Sequence, residues 1–256
     1  MHLIAETILN WIYPPVCISC KTILPVNAKN FYICAKCMPL FEEVQAPYCQ
    51  KCGAVLKNAD VICGSCFGKE LFFDSCRSGF LYDDIMSEAL ADMKFKGRKR
   101  AAWGLGIAWA ACFWPPDKDC VLVPLPLHKK KKKERGFNQA EVLTRALTSS
   151  LGIRWEAMLV RTVDTPPQAG LHPKQREENV RGVFTVAPGY SPVGKIIAIV
   201  DDIYTTGSSI NECARVLREA GADQVHARTL ARTLRKKRDE DEVDDAEKMS
   251  NDNLLI

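Results

Sequence analysis

Lys195–Ile210, KIIAIVDDIYTTGSSI, is the stretch from which the fold can be read. An unbroken apolar run, Ile196–Val200, ends on two adjacent carboxylates, Asp201 and Asp202. Thr205, Thr206, Gly207, Ser208 and Ser209 follow. A short apolar run of this kind is a strand buried on both faces, as in parallel sheets. In open α/β sheets ligands sit beyond the carboxyl ends of the strands, where the aspartates fall. The next loop opens a helix, whose first backbone N–H groups lack intrahelical partners and carry the positive end of the dipole. Gly207 lets a bulky anion approach the backbone closely, and the Thr and Ser hydroxyls add donors. The loop therefore suits a phosphomonoester, and the carboxylates beside it suit vicinal hydroxyls. A ribose 5-phosphate satisfies both. Helix capping alone needs one such residue, and adjacent carboxylates repel unless something cationic or hydroxylic engages them. Neither G-x-G-x-x-G nor G-x-x-x-x-G-K-[ST] occurs in the chain, which removes the dinucleotide and Walker readings.

Working outward, the rest of the second half alternates strand and helix patterns. SEALADMKFKGRKRAAWGLGIAWAACF predicts two helices around a basic, Gly-containing turn, and CVLVPLPL a short buried strand ended by prolines. GFNQAEVLTRALTSSLG has helical spacing through Phe137, Val142, Leu143 and Leu147 and stops at Gly152,. Strands are expected near Met158–Thr162, at VFTV and at VHARTLA, and a helix over SSINECARVLREAGA. This order predicts an α/β fold, a parallel sheet with helices on both faces. The polar segment beginning at Asp164, DTPPQAGLHPKQREENVRG, is long for a structureless loop and reads as a lid,.

The first 75 residues are of a different kind. Cys17/Cys20, Cys34/Cys37, Cys49/Cys52 and Cys63/Cys66 form four C-x-x-C pairs. Two such pairs close a tetrahedral Zn²⁺ site, so the segment holds two structural zinc ions. The intervening stretches are of β-hairpin length, which favours tandem ribbons: Cys17, Cys20, Cys34, Cys37, then Cys49, Cys52, Cys63, Cys66. An interleaved pairing also satisfies the ligands. Disulfides would suit a secreted chain, and nothing here indicates secretion. A segment with so little core takes most of its folding energy from metal, about 10–16 kcal/mol per site. Cys76, Cys112, Cys120 and Cys213 are scattered and read as buried thiols,.

The chain has 256 residues and a net charge of only +4, but the charge is blocked. Lys94–Arg100 and Lys129–Lys133 are basic, and 239–247 is mostly acidic. Local basic patches fit a phosphate-bearing partner. No run approaches the roughly 18–20 apolar residues of a membrane span, and MHLIAETILNWIY makes a poor signal peptide. Leu3, Ile4, Ile8, Leu9, Trp11 and Ile12 recur at helical spacing instead, as a short amphipathic helix docked on the body,. The expected compartment is the cytoplasm. Residues 234–256 have the composition of a solvated tail,. The expected division is 1–75, helix and ribbons; 76–233, the α/β domain; 234–256, the tail.

IAIVDDIYTTGSSI resembles the phosphoribosyl pyrophosphate (PRPP) loop of type I phosphoribosyltransferases. YPPVCISC, MKFKG, VPLPLH…ERGFNQA and RTVDTPPQAGLHPKQREENVRGVF complete, in order, a resemblance to the competence-associated ComF family up to about residue 233. The resemblance implies that Asp201 and Asp202 hold the ribose hydroxyls and that Thr205–Ser209 cradle the 5-phosphate. It implies PRPP with Mg²⁺ as ligand and pyrophosphate displacement by an incoming amine through an oxocarbenium-like state. The pyrophosphate loop would be Leu125–Lys129, with Leu125, Pro126, His128 and Lys129, and Arg135, Lys174, Arg176 and Arg181 would close over it. It also implies a role in DNA uptake, with single-stranded DNA and the uptake machinery as partners at the basic patches and ribbons. Family members often carry Thr at the position of Ser209; a hydroxyl is kept. The charged tail has no counterpart in the family pattern.

Two other readings remain beside that one. A nucleobase-salvage phosphoribosyltransferase shares the loop, but no base-recognition segment is identifiable. A non-catalytic zinc-ribbon scaffold that binds nucleic acid is the other, opposed by the intact DDIYTTGSS. An amidotransferase is disfavoured by the lack of a recognisable glutaminase. Acceptor and oligomeric state are not encoded in any recognisable motif.

Overall fold

Residues Ile197–Val200 are entirely buried, so the strand that carries them must be covered on both faces. The structure is a computed structural model that describes residues 14–25, 32–57, 62–95, 99–163 and 179–234. The amphipathic helix expected before residue 14, the 164–178 portion of the polar segment and the tail from 235 lie outside the described residues. Strands β1 (Ser75–Tyr82), β2 (Val121–Pro124), β5 (Ile196–Tyr204) and β6 (Gln224–Thr233) form one parallel sheet in the order β1-β6-β5-β2.

Alternation along β5 sends side chains to two separate cores. Ala198 and Val200 join Leu122 against helices α1 (Asp84–Phe95), α2 (Lys99–Ala110) and α4 (Gln139–Leu151), through Met86, Leu90, Leu105, Trp109, Leu143 and Leu147. Ile197 and Ile199 join Val121 and Val123 against α5 (Ser208–Glu219), through Ile210, Cys213 and Leu217. α4 starts where Asn138 caps it, accepting from Ala140 N at 3.1 Å, and ends at Gly152 as its sequence predicts.

The two ribbons divide between these cores. Cys17, Ile18, Leu24, Ile33, Cys37 and Phe41 pack in the α1–α2 core, whereas Cys49, Cys52, Ala54, Cys63 and Cys66 pack in the α5 core. The connector between them crosses the edge of the sheet at β1. Leu81 N donates to Glu42 O (2.7 Å), Val44 N to Gly79 O (2.9 Å) and Cys76 N to Lys51 O (2.6 Å). The unpaired side of β1 is thereby closed, which suppresses edge-to-edge pairing.

Three features depart from the sequence expectation. β1 was not anticipated, because Ser75, Arg77, Ser78 and Gly79 break its apolar pattern; its pairing with β6 makes it a strand. The strands expected near 158–162 and 183–186 exist as β3 (Leu159–Arg161) and β4 (Phe184–Val186), but pair antiparallel with each other, outside the parallel sheet. Each has only one buried residue, too little for a central parallel strand. The Lys129–Lys133 run forms a short helix, α3 (Lys129–Arg135), between a His128 N-cap and left-handed Gly136. Of the four scattered cysteines, Cys76, Cys120 and Cys213 are buried as expected; Cys112 is partly exposed. Among the described residues no helix is long and apolar enough to cross a membrane.

Candidate functional site: two thiol clusters and a cleft at the end of β5

Each C-x-x-C pair closes a turn of the same kind. Lys21, Met38, Gly53 and Phe67 donate their backbone N–H to the carbonyls of Cys17, Cys34, Cys49 and Cys63, at 2.8–3.1 Å. Lys21 and Gly53, in equivalent positions, both take positive φ, 61° and 72°. The bridges Val16↔Ile23 and Tyr48↔Val55 repeat the same hairpin. The turns bring Cys17, Cys20, Cys34 and Cys37 together, and separately Cys49, Cys52, Cys63 and Cys66, each set with its sulfurs within 4.8 Å of one another. The grouping is sequential rather than interleaved. A tetrahedral Zn–S bond of about 2.3 Å sets sulfurs about 3.8 Å apart, and Cys20–Cys34 and Cys52–Cys63 stand at 3.7 and 3.5 Å. That is far beyond the roughly 2.05 Å of a disulfide. Cys34 N and Cys63 N also donate to Cys17 Sγ and Cys49 Sγ (3.4 and 3.3 Å). The donor sets fit two structural Zn²⁺ ions with no coordination position left open.

The second site is a cleft of about 360 Å³ lined by Lys94, Asp201–Ile203 and Thr205–Ile210. The strand positions the aspartates: Asp201 is the first residue of β5 beyond its buried run, and its Oδ1 accepts Asp202 N at 2.8 Å. Burial and the neighbouring Asp202 charge push the Asp201 carboxyl up to about 8, partly offset by Lys94. The turn into α5 passes through Gly207 at φ 77°, and α5 has no side-chain N-cap. A Cβ at Gly207 would stand 2.7 Å from Tyr204 Cζ, so glycine is required on both counts. Thr206 and Ser208 hydroxyls share a hydrogen bond of 2.8 Å.

Lys94 is the site residue that the sequence reading misses. The sequence places it in the basic run Lys94–Arg100, and its Nζ lies 2.7 Å from Asp202 Oδ2, with the side chain 22% exposed. Its place at the end of α1, in MKFKG, was the available signal. The ion pair supplies the cation that two adjacent carboxylates need.

The structure thus gathers Asp201, Asp202, Thr205, Thr206, Gly207, Ser208 and Ser209 in one cleft; of the expected pyrophosphate group, the described residues Leu125, Pro126, His128, Lys129, Arg135 and Arg181 do not line it. Leu125 is next to it, its N–H donating to Val200 O at 2.8 Å, and Asn138 Nδ2 holds Leu125 O at 3.0 Å. Pro126 and His128 follow, Lys129 opens α3 and Arg135 ends it. Lys174 and Arg176 lie outside the described residues. Arg181 is exposed beside Gly182, whose N–H donates to Glu212 Oε1 at 2.7 Å. Against the cost of its burial, Arg215 and this N–H hold the Glu212 carboxyl below its usual range. Glu212 therefore ties the end of the polar segment to α5.

Comparison with known proteins recognises both kinds of region. Residues 8–67 match the double zinc ribbon domain, and residues 138–253 match the phosphoribosyl transferase domain. Competence protein ComFC of Bacillus subtilis (strain 168) is 30% identical over 210 residues, covering 78% of this chain and 84% of the relative. The chain belongs to the ComF family. Competence protein F of Haemophilus influenzae is 28% identical over 228 residues, 84% of this chain and 96% of the relative. DNA utilization protein YhgH of Salmonella typhi is 29% identical over 232 residues, 86% and 98%. Membership of the ComF family accounts for a ribbon pair and a phosphoribosyltransferase-type sheet in one chain, the two regions that the fold joins through β1.

Proposed function

We propose that the chain is a phosphoribosyltransferase that binds PRPP with Mg²⁺ and works in the use of DNA taken up by the cell. One observation carries the reading: a single cleft combines two carboxylates, a lysine and an uncapped helix start behind a left-handed glycine. The 5-phosphate would sit on the first turn of α5, with the Thr205, Thr206, Ser208 and Ser209 hydroxyls around it. The ribose hydroxyls would meet Asp201 and Asp202. Leu125–Lys129 and Arg135, at the neighbouring strand end, are the proposed pyrophosphate side, together with Lys174, Arg176 and Arg181. Mg²⁺, when bound with PRPP, would neutralise pyrophosphate oxygens, and the adjacent carboxylates suit such a cation. In the free protein burial and the neighbouring Asp202 push the Asp201 carboxyl up to about 8, and a cation bound beside it would bring it back down. Positioning and electrostatics then suffice for transfer to an amine acceptor, with no covalent nucleophile.

The names of the relatives, competence and DNA utilization proteins, support the DNA role. Lys129, Lys130, Lys132 and Lys133 are exposed on α3 at the same end of the sheet, which suits single-stranded DNA held close to the cleft. Such binding should weaken steeply with salt. The test is calorimetric titration of the zinc-loaded protein with PRPP and Mg²⁺, beside an Asp201→Ala, Asp202→Ala double variant. Binding lost in the variant supports the reading. No binding by the folded wild type refutes it and leaves the zinc-ribbon scaffold.

A further inference from the structure

We propose that the second ribbon is a positioning element for the phosphate-binding loop, and that Arg232 and Asn211 transmit its hold. The ligand assigned to that loop rests on the function proposed above; the mechanical tie does not.

Arg232, near the end of β6, is 5% exposed. Its Nη1 donates to Cys52 O, inside the second thiol cluster, at 2.7 Å. Its guanidinium carbon lies 5.3 Å from the centre of the Tyr204 ring. Tyr204, 6% exposed, is the ring that fills the space at Gly207, where an added Cβ would stand 2.7 Å from its Cζ. A continuous packed path therefore runs from a zinc-ligand carbonyl through Arg232 and Tyr204 to the turn that opens α5. The second path runs from the ribbon's exit. Asn211, in the first turn of α5, accepts Phe72 N at 2.8 Å and donates from Nδ2 to Glu70 O at 3.1 Å. Arg218, two turns on, bonds Asp74 and reaches Phe72 O at 3.4 Å. Residues 70–74 thus run as a strap along α5, starting a few residues after Cys66.

The first ribbon makes no such tie to α5 among the described residues. Its polar link is Lys21 Nζ to Asp92 Oδ2 on α1, 2.8 Å. An N–H cradle binds phosphate well only if its donors are held in place before the ligand arrives. In this chain that rigidity comes from outside the phosphoribosyltransferase-type sheet, from a zinc site on one face of it.

The experiment uses the full chain loaded with zinc and the variants Arg232→Gln, Arg232→Lys, Asn211→Ala and, as control, Lys21→Met. Zinc content, affinity for ribose 5-phosphate and amide hydrogen exchange of the segment 205–215 are read for each. Arg232→Gln and Asn211→Ala should each weaken ribose 5-phosphate about tenfold, the loss expected for a hydrogen-bonded anchor. Exchange across 205–215 should quicken while α1 and α4 stay protected and zinc content stays at wild type. Arg232→Lys keeps a donor for Cys52 O but loses the flat stack on Tyr204, and should recover part of the affinity. Lys21→Met should leave the loop unchanged. The proposal is overturned if Arg232→Gln and Asn211→Ala keep wild-type exchange in 205–215. A rise spread evenly over α1, α4 and α5 also overturns it, since that is general destabilisation. Should the wild type not bind ribose 5-phosphate, the ligand reading fails and the exchange comparison alone decides the tie.

Discussion

Gly207→Ala is the substitution on which the geometry of the site can be tested most sharply. The backbone there has φ 77°, a region that costs an L-residue about 1–2 kcal/mol. The new Cβ would also stand 2.7 and 2.9 Å from Tyr204 Cζ and Cε2. Tyr204 is 6% exposed and packed under Arg232, so it cannot swing away. Overpacking of this kind costs about 1–3 kcal/mol. Together the variant should lose about 2–5 kcal/mol. With a urea slope of about 2–3 kcal/mol/M, the midpoint should fall by about 1–2 M at unchanged slope. Tryptophan fluorescence in zinc-containing buffer follows the transition. Removing the phenolic oxygen in a Gly207→Ala, Tyr204→Phe double variant should relieve part of the clash, giving a coupling of at least about 0.5 kcal/mol. A single variant that loses less than about 0.5 kcal/mol, within the scatter of neutral surface changes, would refute the packing described here.

Three further outcomes are expected. Asp201 is raised from 3.8 to about 8 in the folded chain, so the native state binds more protons than the unfolded state between those values. Its contribution to stability is then greatest below about pH 4 and declines as pH rises to about 8; urea midpoints across that window should show the decline, and Asp201→Asn should flatten it. A strong chelator should release two zinc equivalents per chain, measured with a metallochromic dye, and should lower the thermal midpoint. An unchanged midpoint after full release would contradict a structural role for the two thiol clusters, which pack into the cores through Cys17 and Cys37 and through Cys49, Cys52, Cys63 and Cys66. Leu217→Ala, at a fully buried position of α5, should cost about 2–5 kcal/mol in the same urea assay.

What the sequence reveals here depends on the range of the interactions that decide each feature. The run Ile196–Val200 and the Asp201–Ser209 loop are contiguous, and their period and residue types dictate a buried strand that ends on two carboxylates and a glycine turn into a helix. The C-x-x-C pairs specify thiol clusters for the same local reason; their grouping needed the hairpins that place Cys34 beside Cys20 and Cys63 beside Cys52. β1 was invisible because its partner is β6, far along the chain, and its own residues alternate poorly. Lys94 looked like one charge among several because Asp202, which it faces, is supplied by a different element. β3 and β4 were legible as extended segments but not as a separate antiparallel pair, since three residues carry too little pattern to choose a partner. The helix at Lys129–Arg135 is decided by its flanking caps, His128 and Gly136, rather than by the lysines themselves.

The strap of residues 42–51 along β1 has a consequence for the order of assembly. The ribbons and β1 precede the rest of the described sheet in the chain, whereas β6, the neighbour of β1 in the sheet, is the last strand among the described residues. Until Gln224–Thr233 emerges, β1 can be satisfied only on its outer side, by Glu42, Val44 and Lys51. Pairing across so long an intervening stretch is the slow kind of contact. Metal capture is local to the ribbons and can precede it, giving a folded, edge-protected unit on which both faces of the sheet are later completed.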